Sequence, residues 1–302
     1  MSEACVLFSG VQKKFGETPA LRGFDLEVPK GSIVGLLGRN AAGKSTALRC
    51  MAGLERPDAG TIRVLGRDPN SFDVPLRQRV VYLAETGVPF SGARVRALIE
   101  LCAPLYPHWD FALQDRMLAQ FGIAPDRKLK ELSLGQQRAV GLMLAVCPQP
   151  ELLILDEPAA NLDAVVRREL LETVLRLIGD GERTVIVSSH MLGDVERVAD
   201  HVAIMHAGRR LLQAPLDELK ERSRRLRFSF AAAPPETLVL PGLVSLRRGA
   251  RELLATVVDY DESAAASVAA AHGAHVEAAP LGLEELFIDL VGEHGLATRR
   301  AA

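Results

Sequence analysis

Short apolar runs recur among amphipathic stretches along the first 220 residues, and the texture changes after Lys220. Ile33–Leu37, Val80–Leu83, Leu152–Leu155, Thr184–Val187 and Val202–Met205 are too short for helices and predict buried strands. Leu48, Met51 and Leu54 follow the first run at helical spacing and predict a helix with all three on one face. Strands mixed with helices in this way indicate an α/β domain. Between Gly92 and Pro148 the strand signal fades. Val95–Leu101 and Leu113–Phe121 have helical spacing, interrupted by Pro104, Pro107 and Pro125, which predicts a helical insertion over about 86–148.

Beyond Lys220, Leu226, Phe228 and Phe230 alternate with polar residues, as in a half-buried strand. Ala233-Pro234-Pro235 and Pro241-Gly242 punctuate the chain, Leu253–Val258 predicts another strand, Ala264–Ala271 a helix, and Leu283–Leu290 is amphipathic. The expected organisation is a first domain at 1–220, a linker at 221–225, a small α+β domain at 226–293 and a flexible tail at 294–302.

The 302 residues suffice for two domains with real cores, and 48% hydrophobic and 25% charged residues are ordinary for a soluble protein. A net charge of −2 supplies no strong global field toward nucleic acid or acidic lipid. The local cluster Arg222, Arg224, Arg225 and Arg227 reads as a solvated face or linker. Cys5, Cys50, Cys102 and Cys147 lie far apart without a C-x-x-C pair, which suits reduced thiols of a cytoplasmic protein. The N-terminus lacks a secretory-leader pattern. The longest nearly continuous apolar stretch, Ala139–Cys147, is far shorter than the ~20 residues a membrane helix needs. Any membrane-spanning part is therefore expected in another chain.

Chemistry enters at Gly38-Arg39-Asn40-Ala41-Ala42-Gly43-Lys44-Ser45-Thr46, which fits the phosphate-binding loop G-x-x-x-x-G-K-[ST]. A loop entering a helix N-terminus turns backbone N–H groups toward one point, where the helix dipole favours an anion. Lys44 would reach the terminal phosphates, and the Ser45 hydroxyl would ligate Mg²⁺. Further on, Leu152–Leu155 leads into Asp156 and Glu157. Asp156 is placed to hold Mg²⁺ through water, and Glu157 to orient and deprotonate an attacking water.

Leu132-Ser133-Leu134-Gly135-Gln136 lies between these elements. Alone it is a helix start, with Ser133 capping and Gln136 completing a capping box. In order with the phosphate loop and the paired acids, however, the chain resembles the nucleotide-binding subunit of an ATP-binding-cassette (ABC) transporter over about Val6–Lys220. The resemblance implies an α/β P-loop NTPase core with a helical subdomain, followed here by the small α+β domain. It implies that Phe15 stacks on adenine, although a lone Phe more often packs in a core. Ser133, Gly135 and Gln136 would meet the γ-phosphate held by a second cassette, which would be another copy or a paralogue. Asp163, in Asn161-Leu162-Asp163, would belong to the loop after the paired acids, or would only form a turn. His190, after Ser188-Ser189, would hold the γ-phosphate and Glu157, although a lone His there is more often an ordinary residue. Glu85 stands where the family usually has a Gln that contacts Mg²⁺. Leu134 and Ala41 replace glycines and Arg39 replaces the usual Pro; if position 41 needs positive φ, Ala costs about 1 kcal/mol there.

The implied function is ATP binding and hydrolysis driving a separately encoded permease at the inner face of the cell membrane, with ATP and Mg²⁺ as cofactors. Tyr106-Pro107-His108-Trp109-Asp110 and the C-terminal domain resemble bacterial exporter ATPases, which favours export. No nucleic-acid partner is expected. The alternatives are a soluble ABC ATPase acting on nucleic acid or ribosomes, a P-loop kinase of a small metabolite, and a regulatory cassette with weak hydrolysis.

Overall fold

A computed structural model of the chain describes residues 4–71, 73–178 and 183–292, with the backbone alone at 176–178. The chain divides into two compact units at Arg210/Leu211. This lies about ten residues before the boundary expected from composition.

The first unit runs β1 (Ala4–Phe15), β2 (Thr18–Pro29), β3 (Ile33–Gly38), α1 (Lys44–Met51), β4 (Ala59–Val64), α2 (Val74–Arg79) and β5 (Val80–Leu83). It continues with α3 (Val95–Cys102), α4 (Phe111–Gln120), α5 (Leu134–Val146), β6 (Leu152–Asp156), α6 (Ala164–Ile178), β7 (Thr184–Ser189), α7 (Leu192–Val198) and β8 (His201–His206). β9 (Arg209–Pro215) carries the chain across the division.

The main sheet has the order β5-β6-β7-β3-β8-β9. Its strands from β5 to β8 pair in parallel. Parallel strands are covered on both faces, which is why they read as continuous apolar runs. Every residue of β3, β6 and β7 is buried. Ligands bind such sheets at the carboxyl ends of the strands. The phosphate loop follows β3, the paired acids end β6, and Ser188-Ser189 end β7, so three neighbouring strands deliver their polar residues to one edge.

A second, antiparallel sheet, β2-β1-β4, had no strong signature in the sequence. Its strands alternate buried and exposed residues, and the alternation is broken by register shifts, as between Phe8 and Val11. Helix α1 also ends earlier than its apolar spacing suggests. Gly53 adopts φ 69°, Gly53 N–H donates to Cys50 O at 3.1 Å, and Leu54 N–H donates to Arg49 O at 2.9 Å. That left-handed glycine cap stops the helix, so Leu48 and Met51 are buried while Leu54 lies beyond the end, 59% exposed. The helical insertion forms as α3, α4 and α5, with Asp110 Oδ1 capping α4 through Leu113 N–H at 2.8 Å.

The cysteines are all free. Cys5, Cys50 and Cys147 are buried, and burial pushes the Cys50 thiol up to about 11 and the Cys147 thiol up to about 12. Both therefore stay protonated and inert at neutral pH.

The second unit contains α8 (Leu216–Arg222), β10 (Arg224–Phe230), β11 (Leu243–Arg248), β12 (Glu252–Val257), α9 (Glu262–Ala271), β13 (Ala274–Pro280) and α10 (Leu283–Val291). The antiparallel sheet has the order β11-β12-β10-β13. Leu226, Phe228, Leu253, Ala255 and Val257 pack with Ala265 and Ala269 in its core. The expected linker at 221–225 is instead the end of α8 and the start of β10, with Ser223 buried between them. The expected tail at 294–302 lies outside the described residues.

Arg222 and Arg227 of the arginine cluster are solvated, but Arg225 is not merely part of that face. Arg225 on β10 donates to Asp289 Oδ2 at 2.8 Å and to Glu285 Oε1 at 2.8 Å, and Arg247 on β11 also donates to Asp289. Thr256 Oγ1 donates to Asp289 Oδ2 at 2.6 Å. Asp289, 2% exposed on α10, thus ties the helix to three strands of the sheet. Burial alone would raise the pKa of this carboxyl, but the Thr256 hydroxyl and the two guanidinium groups together hold it below the ordinary range. A depressed folded-state pKa stabilises above the ordinary carboxylate value of about 3.9 and is lost as pH falls through the folded value. Asp289→Ala is expected to destabilise the second unit by about 3 kcal/mol, the low end for a buried charge because both arginine heads are partly wet. Hydrogen exchange of α10 and sheet amides in the full chain reads this loss, and unchanged protection would contradict it.

Candidate nucleotide site

β3 enters the loop through Gly38, where a Cβ would come within 2.8 Å of Met205 O. The loop leaves through Gly43, at φ 104°, where a Cβ would meet Ala20 O at 2.5 Å. Both positions therefore require glycine. Ala41 does adopt a left-handed conformation, φ 63°, so the strain anticipated for a non-glycine residue is present. Ala42 N–H closes on Arg39 O at 3.1 Å and Ala47 N–H on Gly43 O at 2.9 Å, which turns the loop directly into α1. No side chain caps α1, leaving its first N–H groups pointed at the loop.

A cleft of about 590 Å³ opens over this loop, within the usual range for small-ligand sites. It is lined by Arg39, Asn40, Ala41, Ala42, Gly43, Lys44, Ser45 and Thr46, by Thr18, Pro19 and Ala20 of β2, and by Glu85, Glu157, Ala160, Asn161 and His190.

At its floor lies a chain of charges. Lys44 and Glu157 are each only 7% exposed. Lys44 Nζ donates to Gly38 O at 2.8 Å and lies 3.4 Å from Glu157 Oε1. The other carboxylate oxygen, Oε2, accepts from His190 Nδ1 at 2.8 Å and from His190 N–H at 3.4 Å. Glu157 itself sits at φ 48°, a strained backbone for a non-glycine residue.

Asp156 is buried behind this chain and does not line the cleft. Ser188 Oγ donates to Asp156 Oδ1 at 2.6 Å and accepts from Glu157 N–H at 2.9 Å. Tyr82 OH donates to Asp156 Oδ2 at 3.0 Å. Burial and the Asp156 carboxylate push the Tyr82 pKa well above its ordinary value, so the phenol remains a donor. Tyr82 and Ser188 carry no separate signal in the sequence. Pairing register brings Ser188 opposite Asp156 on adjacent strands, which only the sheet order reveals.

Other candidates are placed elsewhere. Phe15 is 47% exposed at the end of β1, with Lys13 Nζ 5.2 Å from its ring centroid, and is absent from the cleft lining. Its pairing partner Thr18 begins the stretch that does line the cleft. Ser133, Gly135 and Gln136 also lie away from it, at the start of α5. Ser133 Oγ accepts from Gln136 N–H at 3.2 Å and Gln136 Oε1 accepts from Ser133 N–H at 3.1 Å, a reciprocal capping box. At Gly135 a Cβ would meet Val166 Cγ1 at 2.7 Å. Asp163 Oδ1 accepts from Val165 and Val166 N–H at 3.0 and 3.1 Å and so caps α6.

Ser45, Glu85 and Asp156 offer only oxygen donors, the type that suits a hard cation such as Mg²⁺. Ser45 and Glu85 face the cleft directly, whereas both Asp156 oxygens are already occupied by hydroxyl donors. This fits a water-mediated role for Asp156 better than direct ligation.

A phosphate loop on a central parallel strand, with a histidine after the adjacent strand and paired acids on the one beyond it, defines an α/β P-loop nucleotide-binding cassette. A family model described as ABC transporter matches residues 21–160. The chain is 31% identical over 310 residues to the daunorubicin resistance ATP-binding protein DrrA3 of Streptomyces coeruleorubidus, covering 97% of this chain and 98% of that one. It is 33% identical over 215 residues to the bacitracin transport ATP-binding protein BcrA of Enterococcus faecalis, covering 70% of each. It is 34% identical over 209 residues to the sulfate/thiosulfate import ATP-binding protein CysA of Synechocystis sp., covering 68% of this chain and 59% of that one. A solved ATP-binding subunit of an ABC transporter aligns with a TM-score of 0.65 at 26% identity, covering 72% of this chain and 92% of that one. The chain belongs to the ABC transporter family as an ATP-binding, ATP-hydrolysing subunit. Among the described residues no helix is long and apolar enough to cross a membrane.

Ser188→Ala would leave an Asp156 oxygen without its hydroxyl donor and Glu157 N–H without its acceptor. The expected cost is about 2 kcal/mol, read as a lower urea midpoint. An unchanged midpoint would show that the bridge carries no net stability.

Proposed function

We propose that this chain drives a separately encoded permease in the export direction by closing on a second cassette around ATP. The observation that carries the mechanism is the division of Glu157 between Lys44 and His190. A bound polyphosphate competes for Lys44. As Lys44 turns to the phosphates, Glu157 Oε1 loses its cation and becomes free to accept a proton from water. His190 keeps Oε2 oriented throughout. Glu157 is then the general base and His190 its positioning partner, which also meets the γ-phosphate.

Gly38 to Thr46 cradle the phosphates, and Phe15, Thr18, Pro19 and Ala20 lie toward the base. Ser45, Glu85 and, through water, Asp156 would hold Mg²⁺, which supplies neutralising charge to the phosphate oxygens. Ser133, Gly135 and Gln136 act in trans: their helix start, remote from the cleft of their own copy, presents N–H groups to the γ-phosphate held by the partner, and Asp163 shapes the loop beside it. Because ATP binds the closed pair better than the open pair, it shifts the population toward closure, and hydrolysis reverses the shift. The pair sits at the inner face of the cell membrane through its permease.

Export is suggested by one relative that aligns over nearly the whole chain, although the relative named for bacitracin transport aligns over only 70% of it. The relative named for daunorubicin resistance aligns through the second unit as well, whereas the relative named for sulfate/thiosulfate import aligns over 68% of this chain.

Glu157→Gln is expected to lower ATP turnover about 10²–10⁴-fold and to accumulate as an ATP-bound dimer by light scattering. Parent-like turnover would remove Glu157 from the role of base. A multi-helix membrane protein is expected to co-purify with the chain from detergent-solubilised membranes.

A further inference from the structure

Arg138 is the least explained charge in the first unit. It lies on α5, one helical turn after Leu134, and is only 8% exposed. Among the described residues it forms no ion pair. Its Nη1 donates to the backbone carbonyl of Glu85, and its Nε has no hydrogen-bond partner. A buried guanidinium left in this state is costly, so its retention calls for a compensating role.

The surroundings point to one. A Cβ added at Gly87 would lie 3.5 Å from Arg138 Nη1, so the guanidinium rests against the 85–87 turn. One turn further along α5, a Cβ at Gly141 would come within 3.1 Å of Leu83 and 3.3 Å of Val88. α5 is thus pressed against both ends of the segment that carries Glu85. Burial lowers the Arg138 pKa, and Glu85 opposes that shift. Glu85 lines the cleft, and its carboxylate makes no hydrogen bond or ion pair to another described residue. Glu85 would be a second carboxylate, after Glu157, beside a bound polyphosphate, and such a group needs a positive charge nearby.

We propose that Arg138 is the positioning residue for Glu85: it anchors the backbone of residue 85 and supplies the buried positive charge that lets a carboxylate stand beside the phosphates as a metal ligand. The assignment rests on the reading of the cleft as a Mg²⁺–ATP site. The same contact joins that site to α5, whose first turn is the one offered to the partner copy.

The test is ATP affinity by calorimetry, with Mg²⁺ and with EDTA, on the full chain as parent, Arg138→Met, Glu85→Gln and the double variant. Arg138→Met is expected to weaken the Mg²⁺-dependent part of the affinity about 5–10-fold beside Glu85. In the Glu85→Gln background the same change is expected to cost less than about twofold, because no carboxylate remains to be supported. Arg138→Lys, which keeps the charge, is expected to stay within about twofold of the parent. Equal losses in both backgrounds, or no loss in either, overturn the proposal. Should thermal unfolding show that Arg138→Met does not fold, Arg138→Gln is read by the same criterion. Lys44→Ala serves as reference: loss of binding with and without metal there, beside unchanged Arg138 variants, overturns this inference alone. Parent-like ATP affinity of Lys44→Ala overturns the phosphate-loop reading as well.

Discussion

A buried ammonium must have a partner in every state of the molecule, and the cleft is organised around meeting that demand for Lys44. Burying a charge without compensation costs several kcal/mol. Here Gly38 O and Glu157 supply the compensation, and Glu157 is itself held by His190. A polyphosphate that draws Lys44 toward itself competes with those partners. In the proposed mechanism binding is thereby linked to a change at Glu157, the group proposed to activate water. The link requires no large movement, because all the groups already touch.

The parallel sheet makes this arrangement affordable. Its central strands are covered on both faces and tolerate polar side chains only where they end. β3, β6 and β7 are neighbours, and each ends in a group that belongs to the site. Tyr82 and Ser188 then fix Asp156 at the rear. The strained φ values at Ala41 and Glu157 fall within the same small region, as expected where function overrides local preference.

Much of this was legible in the residues. The buried strands of the parallel sheet appeared as unbroken apolar runs, and the phosphate loop and paired acids appeared as motifs at their ends. The β2-β1-β4 sheet did not, because one-sided burial interrupted by bulges leaves no clean period. Leu54 was drawn into α1 by spacing alone, while the glycine that terminates the helix carried the decisive information. Arg225 looked like surface because charge runs usually are; its partner Asp289 lies 64 residues away in sequence and meets it only because α10 packs against the sheet. Ser188 and Arg138 were invisible for the same reason, since each acts on a residue brought near by the fold.

The most direct test is the position of Lys44 Nζ in a structure of the chain with ATP and Mg²⁺ bound. The account requires Nζ to leave Gly38 O and Glu157 Oε1 for phosphate oxygens, with Glu157 Oε2 still on His190. Nucleotide bound while Lys44 keeps its bond to Gly38 O, or nucleotide seated away from the loop, would contradict it.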